Sequence, residues 1–136
     1  MSNSKDFRAA IFGAIQNWGA ASFPSLPIIY ENGPTPDEDK IGPMWLDCEI
    51  RWYSARWLGV GNLSAGRHTG AVALNLYCKD ATGTGNADDI IVSLTQLLRG
   101  TRWGSATLSY PQRVVSTHLL GWYRSGVLIP FTLDES

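Results

Sequence analysis

Phe7, Ala10, Ile11, Ala14, Ile15 and Trp18 recur at the spacing of one helix face, with Asn3 and Ser4 ahead of them as capping candidates and Gly19 closing the run. The pattern predicts an amphipathic first helix whose apolar stripe faces a core. Pro24 and Pro27 then punctuate the chain, and Pro27 to Tyr30 reads as a short strand. Leu46, Cys48, Ile50 and Trp52 alternate with Asp47, Glu49, Arg51 and Tyr53, the period-two signature of a strand wet on one face. Val72, Leu74, Leu76 and Cys78 repeat it, so Cys48 and Cys78 both fall on core faces. Ala87, Ile90, Ile91, Leu94, Leu97 and Leu98 mark a second helix. Its ends agree: Asn86 can cap, Asp88 and Asp89 complement the positive end of the dipole, Arg99 the negative end, and Gly100 terminates it. Ser105 to Tyr110, Arg113 to Leu120 and Trp122 to Leu133 are three further β-like stretches, separated by Pro111 and Gly121.

The resulting order, α-β-β-β-α-β-β-β, predicts an α+β fold: a mostly antiparallel β-sheet with two α-helices packed on one face, plus a long extended loop or hairpin. That last element is Ser54 to Thr69, where Gly59, Gly61 and Gly66 are hinges and Trp57, Leu58, Val60 and Leu63 are apolar residues that a monomer has no obvious way to bury. Asn32 to Pro43 differs in kind. It mixes Gly33, Pro34 and Pro36 with Asp37, Glu38 and Asp39 and reads as a mobile acidic loop. No internal repeat is present.

Composition narrows the picture. At 136 residues the chain suits one domain over 1–136. Surface scaling gives about 7,000 Å² exposed when folded against about 21,600 Å² unfolded, enough burial for one hydrophobic core without disulfides or a metal. Charged residues make up 17%, below the usual quarter, while six tryptophans are present; together these point to buried subunit contacts. The net charge of −1 supplies no field that would pull the molecule onto nucleic acid or an anionic membrane. The charge is unevenly placed: residues 1–50 hold three bases against seven acids, and residues 51–125 hold eight against three. Such polarity suits head-to-tail stacking of subunits.

Cys48 and Cys78 belong to no CxxC pair and read as buried small apolar residues in a reducing compartment, with a disulfide between neighbouring strands as the alternative. Lys5 to Phe23 contains Asp6, Gln16 and Asn17 at helical spacing, which argues against a signal peptide. Pro24 and Pro27 argue against a membrane span over the uncharged stretch Ala9 to Tyr30. The expectation is a soluble protein.

Catalytic and ligand motifs fail one after another. His68 and His118 lie 50 positions apart, with no metal-ligand spacing around them. Asn62 to Gly66 has Asn where a nucleophile elbow requires Gly, and no SxxK occurs. Gly59-Val60-Gly61 and Gly83-Thr84-Gly85 both lack the third glycine of a dinucleotide fingerprint. Asp88 and Asp89 are neighbours and so point about 100° apart on a helix, as dipole partners and not as an acid/base pair. Trp18, Trp52 and Trp122 fit core positions, whereas Trp57, beside Arg56 in the apolar hinged segment, fits an interface. The screen favours a structural or interaction protein over an enzyme, with no catalytic, cofactor or metal residues.

Several segments, taken in order, carry a resemblance. They are Pro27-Ile28-Ile29-Tyr30-Glu31-Asn32, Trp45-Leu46, Gly66-Arg67-His68-Thr69-Gly70 leading into a strand, Gly83-Thr84-Gly85-Asn86-Ala87-Asp88 opening a helix, Gly121-Trp122-Tyr123, and Ile129-Pro130-Phe131. Over residues 25–136 the chain resembles the tail terminator (tail completion) proteins of long-tailed phages. The resemblance implies a virion protein at the tail-head junction, assembled in the host cytoplasm: a hexameric ring that caps the head-proximal end of the tail tube and stops its polymerisation. Its implied partners are copies of itself, the major tail tube protein and a head-completion or connector protein, with genomic DNA only passing through the lumen and no membrane. A ring halts a polymer if one face copies the tube's docking surface and the other lacks what recruits the next tube ring. On this reading the intersubunit or tube-facing element is Ser54 to Thr69, with Trp57, Leu58 and Leu63 as anchors and Arg56, Arg67 and His68 beside them. Asp37, Glu38 and Asp39 either meet a basic neighbour or face the lumen and repel DNA. The competing readings are a head-tail connector or neck ring and a small ligand-binding or hydrolytic α+β domain.

Overall fold

The structure, a computed structural model, describes residues 3–31, 44–57, 66–79, 85–103, 106–119 and 121–135. The elements follow the predicted order, with one small strand added: α1 (Asn3–Ser22), β1 (Ile28–Tyr30), β2 (Met44–Trp57), β3 (Gly66–Lys79), α2 (Gly85–Leu98), β4 (Arg102–Trp103), β5 (Ala106–Leu108), β6 (Gln112–Leu119) and β7 (Trp122–Glu135). They form a seven-stranded sheet in the order β1-β2-β3-β7-β5-β4, with β6 also paired to β7. β1 runs parallel to β2, and every other described pairing is antiparallel. The α+β expectation therefore holds.

Three 14-residue strands, β2, β3 and β7, are the frame. Alternation sends Leu46, Cys48 and Ile50 of β2, Val72, Leu74 and Leu76 of β3, and Val127, Ile129, Phe131 and Leu133 of β7 to one face, where all are buried. Both helices cover that face. Phe7, Ile11, Ile15 and Trp18 of α1 and Ala87, Ile90, Ile91, Leu94 and Leu98 of α2 join the same cluster. Trp18 Nε1 donates to Ser93 Oγ at 2.8 Å, which links the two helices directly. Ala10, placed on the stripe by spacing, is exposed, so the buried stripe of α1 is narrower than the sequence suggests.

Backbone conformation explains where elements stop. Gly100 follows α2 with φ 61°, a left-handed value that glycine adopts without steric cost, and Thr101 then donates from its hydroxyl to the Leu98 carbonyl at 2.6 Å. Gly121, with φ 85°, makes the two-residue connection between Leu119 and Trp122. Gly70 is different, because its constraint is space. A Cβ there would strike the Arg51 carbonyl oxygen and approach Phe131 Cζ to 2.8 Å. The Phe131 ring thus lies over Gly70, with Phe7 packed on it at 4.7 Å between centroids and Trp52 meeting it edge-on at 5.3 Å.

One expectation is overturned, that for Trp52, and two open alternatives are decided. Ser54 to Thr69 is not a loop throughout: Ser54–Trp57 pair in register with Thr69–Gly66, so the extended-hairpin alternative is the observed one, and Leu58, Val60 and Leu63 lie outside the described residues. Trp52 is not a core residue; it is 38% exposed because it sits beyond Phe131 and Phe7, where the cover supplied by α1 ends. Trp122 is buried as expected, yet it shares a face with Tyr77 and Trp45, away from the helices. The proposed disulfide alternative also fails. Cys48 opposes Leu74 and Cys78 opposes Met44, a four-residue offset of about 13 Å along the sheet, beyond disulfide reach.

Gly70→Ala is expected to lower stability by about 2 kcal/mol, through the forced shift of Phe131 and of the β2 backbone, read as a lower midpoint in urea or thermal unfolding. A variant as stable as the parent would show that the β2–β3 spacing at this point is soft.

Candidate functional site

Of the residues singled out by sequence, Arg56, Trp57, Arg67 and His68 lie in the arm made by the distal halves of β2, β3 and β7. A bulge shapes it. The register slips between Trp52 and Ser54, leaving Tyr53 as the extra residue, 60% exposed, and the slip reverses which side chains share a face beyond it. Ser54, Thr69 and Thr132 then fall on the sheet face away from the helices, as do Arg67 and Asp134, while Ala55, His68 and Leu133 fall on the helix face. Ser54 Oγ and Thr69 Oγ1 share a hydrogen bond at 2.5 Å.

Arg67 and Asp134 form the best-defined polar contact of the arm. Arg67 Nε donates to Asp134 Oδ1 at 2.8 Å and Nη2 to Oδ2 at 3.1 Å, a fork-to-fork pairing across β3 and β7. The hydrogen bond to Arg67 holds the Asp134 carboxyl below its ordinary range, and the carboxylate raises the guanidinium in return. Register also places the Arg56 backbone directly opposite Arg67. His68 packs edge-on against Trp52 at 5.8 Å, so the aromatic row Phe7, Phe131, Trp52, His68 runs from the core out along the arm.

The structure therefore keeps Arg67 and His68 on the arm and puts the backbone of Arg56 opposite Arg67 and that of Trp57 opposite Gly66. Leu58, Leu63, Asp37, Glu38 and Asp39 lie outside the described residues.

Two features escaped sequence reading. The first is the sheet face opposite the helices. Ala71 and Ala73 are buried there between the longer residues Arg51, Glu49, Leu128 and Pro130, and at the far end Trp45 stacks on Tyr77 at 4.3 Å with Trp122 edge-on at 6.4 Å. Asp47 lies on this face beside Asn75, and burial, with Glu49 nearby, pushes its carboxyl above the ordinary range. Glu49 is itself held by Arg51 Nε at 2.6 Å. The second is a groove of about 300 Å³ along α1 and β1, whose Tyr30 hydroxyl is buried without a hydrogen-bond partner. Among the described residues no group of three or more His, Cys, Asp or Glu side chains is placed to hold a metal ion.

The two perturbed carboxylates should respond to pH with opposite signs. Asp134, depressed in the folded state, contributes stability above its unfolded pKa and loses it as pH falls through the folded value; Asp134→Asn should therefore destabilise at pH 7 and become neutral in strong acid. Asp47, raised in the folded state, opposes folding once ionised; Asp47→Asn should stabilise at pH 7, with the gain vanishing as pH falls below the carboxylate range. Thermal melts of both variants from pH 3 to 7 check the signs.

No family model matches this sequence, and no curated protein matches it. Solved structures do share the fold. One, whose name states no function, superposes with a TM-score of 0.73 over 97% of this chain and 96% of its own, at 14% identity. Another is a chain from the virion of a native gene transfer agent particle, with a TM-score of 0.59 over 96% of both chains at 9% identity. Both likenesses run nearly end to end.

Proposed function

We propose that this chain is a structural protein of a phage-like virion and that it works as a tail terminator, a hexameric ring that caps the head-proximal end of the tail tube and offers the surface for head attachment. One observation carries the virion reading: a chain of a gene transfer agent virion has the same fold over 96% of its own length and of this chain. The station within the virion rests on the ordered resemblance over residues 25–136. The arm supports it physically. Three strands project past the helix-covered core and carry the exposed Tyr53, the half-exposed Trp52 and the Arg67–Asp134 pair, which suits docking and no reaction. Arg56, Trp57, Leu58, Leu63, Arg67 and His68 form the contact to the next subunit or to the tube. The partners are other copies of this chain, tube protein and a head-completion protein, with DNA only in transit.

Light scattering over a range of concentrations, followed by electron microscopy, tests the ring, with about 89 kDa expected for six copies of a 14.9 kDa chain. Addition to polymerising tube protein should shorten the tubes and leave a ring on one end. A protein that stays monomeric and leaves tube length unchanged would overturn the terminator role. A ring that binds portal-side proteins and ignores tubes would transfer it to the neck.

A further inference from the structure

We infer that the sheet runs on from one copy of the chain into the next, the β1–β2 edge of each copy pairing head to tail with the β6–β4 edge of its neighbour; the inference deepens the ring reading and rests on it. Register fixes the outline of the two edges. In the row Tyr30, Cys48, Leu74, Val127 and Arg113, five strands lie side by side in the order β1-β2-β3-β7-β6. In the row Ser54, Thr69, Thr132, Thr107 and Arg102, five strands again lie side by side, now in the order β2-β3-β7-β5-β4. Between the two levels the sheet shifts sideways by one strand. One edge therefore protrudes at β1 and is set back along the distal half of β2, while the other is set back at β6 and protrudes at β4, so the two outlines fit each other as matching steps. Both helices pack on one face of the sheet, and among the described residues no strand lies beyond β1, the distal half of β2, β6 or β4.

Backbone direction and charge agree with this pairing. β1 and β7 run the same way and β6 runs against both, so rotation about an axis along the strands, as in a ring, sets β1 antiparallel to the neighbour's β6. Leu46 donates to the Pro27 carbonyl and Glu31 to the Cys48 carbonyl, so alternation turns the N–H and C=O groups of Ile28 and Tyr30 outward, away from β2. Those groups find partners on the neighbour's strand. Residues 3–31 and 44–50, which supply α1, β1 and the start of β2, hold four acids, Asp6, Glu31, Asp47 and Glu49, against Lys5 and Arg8. The stretch Arg99 to Arg124, which supplies β4 and β6, holds four arginines and no acid. An acidic edge meets a basic one. A head-to-tail contact also satisfies both edges of every copy at once, and closure removes the free edges that invite uncontrolled pairing.

Crosslinking reads the contact. Ile29 and Val114 share the row of Asp47, Asn75 and Gly126 and lie at opposite edges of the sheet. The backbone of Ile29 bonds toward β2, so toward a new neighbour it is a non-hydrogen-bonded position, where side chains of facing strands come closest. The native Cys48 and Cys78 are buried. Ile29→Cys and Val114→Cys are prepared separately, shown to be folded by circular dichroism, mixed one to one before assembly and oxidised with copper phenanthroline. The mixture should give a disulfide-linked pair on a denaturing gel, and each variant alone should give none. Linkage of Ile29→Cys to Gln112→Cys, the next position of β6 on that face, supports the same pairing with an offset of two residues. A second readout needs no substitution: hydrogen exchange at the Ile28 and Tyr30 amides of the parent should slow by at least about tenfold from monomer to ring. Assembled rings that give no mixed pair, unchanged exchange at these amides, or Ile29→Cys linking to itself would overturn the edge pairing while the ring reading stands. A parent that never assembles, alone or on tube protein, overturns both.

Discussion

Phe131 can lie over Gly70 only because that position has no side chain, and the rest of the molecule is arranged about this contact. Gly70 is the fifth of the 14 residues of β3, in register with Trp52 on one side and Phe131 on the other. With no Cβ in the way, the phenyl ring closes the distal end of the core and receives Phe7 from α1 on its other surface. The helix is fixed there, and its far end is fixed by the Trp18–Ser93 hydrogen bond and the close approach of Gly19 to Ile28. At Gly70 the cover ends for β2, whose Trp52 is 38% exposed, whereas Leu133 of β7, opposite His68, is still buried. One glycine therefore marks where β2 leaves a core that β7 continues to line.

The division has an energetic logic. Among the described residues, 25 apolar ones are nearly inaccessible to water, and burial of that kind supplies most of the folding free energy. On the arm, exposed residues contribute little to folding, and the Arg67–Asp134 pair lies at the surface where such pairs are weak individually.

Much of this was legible from the chain because alternation and helical spacing report faces directly. Leu46, Cys48 and Ile50, or Ile90, Ile91, Leu94 and Leu98, declare their buried side whatever they pack against. Gly100 declared a helix end for a backbone reason that is equally local. Pairing partners were not legible, since a period of two says nothing about which strand lies alongside; the central position of β7 between β3 and both β5 and β6 is a long-range fact. Trp52 misled because its alternation is right and only the length of α1 leaves it uncovered. Trp122 is buried as its position suggests, but by Trp45 and Lys79 on the face away from the helices. Of the candidate site, Arg67 and His68 were legible as strand residues, while the groove along α1 and β1 was not, being formed by residues such as Ala20 and Tyr30 that look ordinary in sequence.

The pairing of Phe7 with Phe131 joins residues separated by nearly the whole chain, and β7, which follows every other described element, supplies the central partner of β3. During translation the β2–β3 hairpin can form as soon as it leaves the ribosome, but α1 has no aromatic lid to dock on until Phe131 has been made. A chain that stops short of β7 therefore lacks both the second neighbour of β3 and the ring that seats α1, so the core closes only with the final described strand.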